Sequence, residues 1–166
     1  GVHGSDCHVI GMTAWVTGPG RPDQSLHVDC KLISLPDDIT ADPRVRIPIF
    51  ITTAHFYLND MYEELGPTKF VPRTHVKQDR PAPSEELSIL CNAGDAVIFR
   101  SEVWHRGTAN TSNEKRYLLQ VHYAQRMITQ KFPPYLNKFQ FRPEVLEWAS
   151  DRQRRLLGSH RPSAYD

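Results

Sequence analysis

Thirteen prolines and nine glycines are spread along the chain, and they cut it into pieces too short for long helices. The pieces between them are rich in β-branched and aromatic residues. HVIGMTAWVTG (residues 8–18) reads as a strand closed by the Gly18-Pro19-Gly20 turn. SLHVDCKLISL (25–35) reads as the next extended piece, and RVRIPIFITTAHFYLND (44–60) as a long one in which Pro48 marks an edge, a bulge or a strand start. TKFVP, ELSILC, DAVIFR and KRYLLQVHYAQ follow, each bounded by Pro, Gly, Asn or Asp. Many short strands in series predict an all-β sandwich or barrel. The tail differs. RPEVLEWASDRQRRLLG (142–158) carries apolar residues at helical spacing, opens on Pro143 and ends on Gly158, so a short C-terminal helix is expected there.

The 166 residues suffice for one domain with its own core. A net charge of +1 supplies no basic field for holding nucleic acid by counterion release, so no nucleic-acid partner is expected. No apolar run approaches a membrane span. Cys7, Cys30 and Cys91 form no C-x-x-C pair. A reducing, cytoplasmic setting is the simpler expectation for such a set.

SLHVDCK (25–31) raises the chemical question, because His27 and Asp29 are two metal-capable side chains one residue apart. On a strand, residues i and i+2 share a face, so the pair has the geometry of two adjacent ligands on one ion. It also has the look of two ordinary polar residues on a solvent face. A third ligand would suit His105, in WHRGTAN after the Gly94-Asp95 turn and the strand AVIFR. Two histidines and a carboxylate form the facial triad of non-haem Fe(II) oxygenases, with Zn²⁺ as the chemical competitor. Arg116 follows His105 by eleven residues. A guanidinium there is either a surface arginine or a two-pronged holder for a carboxylate.

HVD, GPTKFVPRTH and GDAVIFRSEVWHRGTANTSNEKR together resemble the phytanoyl-CoA dioxygenase family of Fe(II)/2-oxoglutarate oxygenases, over roughly residues 10–125. The resemblance implies an all-β core folded as a double-stranded β-helix, a cupin-like jelly roll of eight strands in two sheets. It implies that His27, Asp29 and His105 bind Fe(II) and act in catalysis, and that Arg116 anchors the cosubstrate 2-oxoglutarate. Thr108 and Asn59 are further candidates for the cosubstrate side, although Asn59 also fits a plain strand-end turn. O₂ is the co-reactant and a small-molecule metabolite the expected substrate. A retained Asp29 points to hydroxylation or a related oxidation rather than halogenation, for which relatives carry a small residue in its place. His55 and His122, on strand-like segments, are candidates for lining the pocket, and His75 for a structural hydrogen bond.

The expected organisation is one domain over 1–166, with a strand core at about 8–126 and a helical tail at about 140–158. The large N-terminal portion usual in the family is expected to be missing, which leaves a homodimer open as a way of covering a bare sheet. Two other functions remain in play. One is a cupin-like metalloenzyme that uses Zn²⁺ or Mn²⁺ and leaves Arg116 idle. The other is an inactive, truncated relative that binds metal weakly.

Overall fold

The computed structural model describes residues 2–4, 7–77, 79–82, 85–130 and 141–160. Seven strands are found among them: β1 (Cys7–Thr17), β2 (Ile51–Tyr57), β3 (Thr68–Phe70), β4 (Leu87–Ser88), β5 (Ala96–Arg100), β6 (His105–Gly107) and β7 (Arg116–Gln125). They form a four-stranded sheet in the order β1-β7-β2-β5 and a three-stranded sheet in the order β4-β3-β6. All the pairings are antiparallel. Apart from the consecutive pair β3 and β4, strands that are neighbours in space are far apart in sequence, as expected of a jelly roll.

Period-2 alternation sets the faces of the large sheet. Thr53, His55 and Tyr57 of β2 sit opposite His122, Gln120 and Leu118 of β7. Leu118 and Arg116 in turn sit opposite Trp15 and Thr17 of β1. This inner row carries the polar side chains of the site. Val9, Val121, Phe56, Leu119 and Tyr123 form a separate apolar cluster on these same strands. A further cluster of Tyr57, Met61, Leu65 and Leu118 closes one end of the space between the sheets.

The segment 25–35 departs from the sequence expectation. It is not a strand: only His27 pairs, in an isolated antiparallel bridge with His105. The ladder stops because the N–H groups of Asp29 and Cys30 both turn to the Ser101 carbonyl, which bends the chain away from β6. The strand expected within 44–60 starts only at Ile51, beyond Pro48. The C-terminal helix is broken into α2 (Pro143–Trp148) and α3 (Asp151–Leu156), after a four-residue α1 (Asp37–Thr40) earlier in the chain. Ser150 causes the break. Its hydroxyl accepts the Gln153 N–H while the Gln153 side chain accepts the Ser150 N–H, a capping box that starts a new helix inside a continuous apolar pattern. Arg154 and Arg155 lie in the last turn of α3, where the helix dipole favours cations.

Candidate metal centre

Backbone pairing brings two of the expected ligands together. His27 N–H donates to His105 O (2.9 Å) and His105 N–H to His27 O (2.8 Å), so the two side chains leave one face of the bridge side by side. Their ring centroids lie 4.6 Å apart. The approach to His27 is fastened along β6. Gln24 N–H donates to Gly107 O, Gly107 N–H donates to Gln24 Oε1, and the Arg106 guanidinium clamps Asp23 and Glu86. The bend after His27 then swings Asp29 onto the same face. His27, Asp29 and His105 each offer a ligand atom, and the three atoms lie within 4.8 Å of one another.

The hydrogen bonds around the triad fix which atoms face inward. His27 Nδ1 lies 2.8 Å from Ser25 O, and His105 Nδ1 lies 2.9 Å from Val103 O. A carbonyl only accepts, so both Nδ1 atoms carry hydrogen and each neutral ring keeps its Nε2 lone pair for a ligand. Those Nε2 atoms are 3.9 Å and 3.5 Å from Asp29 Oδ1. Adjacent ligands at about 2.1 Å from one ion are about 3.0–3.4 Å apart, so the three groups need only close in slightly to share one.

The other carboxylate oxygen, Asp29 Oδ2, accepts the Thr53 hydroxyl at 3.0 Å. Thr53 is fully buried, and its oxygen also lies 3.1 Å from Ser101 Oγ and 3.0 Å from His122 Nδ1. With its one proton given to Asp29, Thr53 must accept from both of them. Burial disfavours the Asp29 charge, but the hydrogen bond and charge that His105 offers when its Nε2 also carries a proton outweigh it, helped by His122 and Thr53. The carboxyl is brought down to about 2 and is ionised at neutral pH. A Thr53→Val substitution keeps the shape and removes this donor. Metal affinity is expected to fall about 10- to 100-fold, read by competition with a chromophoric chelator.

A cavity of about 340 Å³ runs from the triad to Arg116, and Thr17, Thr68, Thr108, Leu118 and Gln120 also line it. Arg116 is only 7% exposed. It donates to Gly66 O and, at 3.1 Å, to Thr17 Oγ1, while its buried Nε has no partner. Among the described residues no carboxylate pairs with it. Burial lowers its pKa, yet a guanidinium keeps its proton, so a buried cation is left waiting for an anion.

Two glycines make room for that arginine. Gly66 has φ +80°, and a Cβ there would lie 2.6 Å from Thr108 O and 2.8 Å from Ala109 O. A Cβ on Gly107 would lie 2.9 Å from Gln24 Oε1 and 3.4 Å from Arg116 Nη2. Gly66→Ala is expected to cost about 1–3 kcal/mol in backbone strain alone, seen as a Tm lower by several degrees.

The remaining expected residues divide. Thr108 lines the cavity, with its hydroxyl donated to Pro67 O at 2.7 Å. Asn59 is not among the lining residues; its Oδ1 accepts the Tyr117 N–H at 2.7 Å, which ties the end of β2 to β7. His55 lines the cavity beside His105, with ring centroids 6.3 Å apart, and burial brings its pKa down to about 3. Thr53, Trp15, Thr17 and Gln120 were not anticipated. Thr53 shares the parity of His55 on β2 and Gln120 that of Arg116 on β7, which was the available signal, whereas Trp15 and Thr17 on β1 are set by cross-strand register.

The sequence profile of the phytanoyl-CoA dioxygenase (PhyH) family matches residues 4–117, a stretch that holds the triad and Arg116. Dioxygenase cdmA of Talaromyces verruculosus is 34% identical over 110 residues, which is 63% of this chain and 36% of that protein. Dioxygenase trt7 of Aspergillus terreus is 25% identical over 145 residues, 84% of this chain and 47% of that one. The chain thus spans between a third and a half of the length of these relatives. Among solved structures, the epimerase SnoN in complex with Fe3+, α-ketoglutarate and nogalamycin RO shares the fold, with a TM-score of 0.57 at 18% identity over 75% of this chain and 52% of that one.

Proposed function

The chain belongs to the phytanoyl-CoA dioxygenase family, and from that premise we propose that it is a non-haem Fe(II)/2-oxoglutarate-dependent oxygenase acting on a small molecule. One observation carries the reading. A two-histidine, one-carboxylate face and a buried arginine without a carboxylate partner share one cavity. A simple hydrolytic zinc site accounts for the first feature and leaves the second unexplained. A keto acid with a second carboxylate at its far end accounts for both.

The residues fit the group. The His27 and His105 Nε2 lone pairs and Asp29 Oδ1 would hold the ferrous ion on one side and leave the cavity side open to ligands. Arg116 would take the distal carboxylate of 2-oxoglutarate, and its orphaned Nε marks unspent donor capacity at that end. When bound, Fe(II), 2-oxoglutarate and O₂ supply the coupling of keto-acid decarboxylation to oxidation of a substrate C–H bond, with succinate and CO₂ released. The protein's own part is placement. The Ser25 and Val103 carbonyls fix the two imidazoles, Thr53 steadies Asp29, and Gly66 O and Thr17 aim the guanidinium. Leu118 and the wall of Phe70 and Phe99 against His105 help to keep water out.

With Asp29 in place, hydroxylation is the proposed outcome on a small apolar or amphipathic metabolite. Among the described residues no helix is long and apolar enough to cross a membrane. The reading is tested by mixing the Fe(II)-loaded protein with 2-oxoglutarate in air and assaying succinate. Slow succinate release without added substrate is expected with Fe(II) and not with Zn²⁺. Release that is equal with both metals, or absent with Fe(II), would count against it.

A further inference from the structure

We propose that Gln120, with its amide orientation set by Trp15, binds the metal-proximal oxygens of the keto-acid cosubstrate. The inference rests on the Fe(II)/2-oxoglutarate reading above.

The orientation follows from donor chemistry. Trp15 Nε1 lies 2.7 Å from the Gln120 side-chain oxygen. An indole N–H only donates, so the atom facing it must be Oε1, and the amide NH₂ is turned the other way. Gln120 is 8% exposed and lines the cavity, yet none of the hydrogen bonds of the described residues uses its NH₂. The amide NH₂ is therefore without a partner among the described residues, on a side chain that lines the cavity.

Its register neighbour tells the same story. His55 pairs with Gln120 across β2 and β7, is 5% exposed, and has a buried Nδ1 with no hydrogen bond. Two side chains more than nine-tenths buried, on adjacent strands, thus carry unspent hydrogen-bond capacity at one spot in the cavity. A polar ligand is what would satisfy them.

The register also says which part of the ligand. The inner face of β7 runs His122, Gln120, Leu118, Arg116. His122 meets Thr53, which holds Asp29. Gln120 is the next step along, and Arg116 is two steps beyond it. A ligand reaching from the triad to Arg116 passes Gln120 at its metal end. The metal-proximal carboxylate and keto oxygens of 2-oxoglutarate are acceptors, which suits an NH₂ donor. Trp15, on the edge strand and 45% exposed, is then a positioning residue that keeps the amide from flipping.

The test is calorimetric titration of 2-oxoglutarate into Ni(II)-loaded protein, where no turnover follows binding. Gln120→Ala is expected to weaken binding about tenfold, as for one lost charge-assisted hydrogen bond. Gln120→Glu, of the same shape but with an anionic oxygen in place of the donor, is expected to weaken it further. Trp15→Phe is expected to weaken binding about threefold in the wild-type background and not at all in Gln120→Ala, a coupling that a merely structural tryptophan would not show. Binding by both Gln120 variants within twofold of wild type would overturn the proposal while leaving the oxygenase reading intact. So would independent, multiplying effects of the Trp15 and Gln120 substitutions. No binding by wild type would remove the oxygenase reading, and this inference with it.

Discussion

Replacing Asp29 with alanine is expected to abolish succinate formation and to weaken metal binding at least about 100-fold, a larger effect than loss of the supporting Thr53 donor. The carboxylate is the only anion in the triad, and Thr53 and His105 both turn toward it. Without it two neutral imidazoles remain, and an ion between them keeps its full double charge in a half-buried site. The fold should survive. Asp29 lies in an irregular segment, and the backbone bond from its N–H to Ser101 O does not need the side chain. A metal ion at 100 times its dissociation constant stabilises the native state by about 2.7 kcal/mol. The wild type is therefore expected to melt several degrees higher with metal than without, and Asp29→Ala by about 1 °C at most. A metal-dependent rise of wild-type size in the variant would place the ion elsewhere.

Replacing Arg116 with alanine is expected to raise the 2-oxoglutarate requirement by about 30-fold or more, because truncating one partner of a buried charged pair costs about 2–5 kcal/mol. The more telling readout is selectivity. Wild-type protein should strongly prefer 2-oxoglutarate to a 2-oxo acid of similar length that lacks the far carboxylate, and Arg116→Ala should treat the two nearly alike. Arg116→Lys keeps the charge but loses the planar fork that reaches Gly66 O and Thr17 together, so it should fall between them. The apo form of the alanine variant should be no less stable than the wild type, since the substitution removes a buried cation without a carboxylate partner among the described residues. Equal selectivity in the wild type and Arg116→Ala would show that the guanidinium does not face the cosubstrate.

Much of the site was legible because its chemistry lies in short local patterns. His27 and Asp29 sit two apart, His105 follows a Gly-Asp turn and a strand, and Arg116 stands eleven residues on. The physical route was nonetheless partly different from the one expected. Strand alternation was to put His27 and Asp29 on one face, but the chain leaves the ladder after His27, and a bend at Ser101 O does the work. The three-residue β6 was invisible because a strand so short carries no periodic signal. The broken tail shows a local cap outweighing an apolar pattern, since Ser150 and Gln153 satisfy each other's backbone groups wherever the apolar residues fall. Trp15 joins the site through cross-strand register, which is a tertiary property. Gln120 is one polar residue in the run RYLLQVHYAQ, and its even spacing from Arg116 places the two on one strand face.

The central claim is that one ion at His27, Asp29 and His105 and one anion at Arg116 belong to the same ligand complex. Anaerobic addition of Fe(II) and then 2-oxoglutarate, followed by visible absorption, tests this without knowledge of the substrate. A metal-to-ligand charge-transfer band that saturates at one keto acid per chain, and that Asp29→Ala abolishes and Arg116→Ala shifts to much higher 2-oxoglutarate, is the predicted result. Protein that binds Fe(II) tightly yet develops no such band at any 2-oxoglutarate concentration would contradict it.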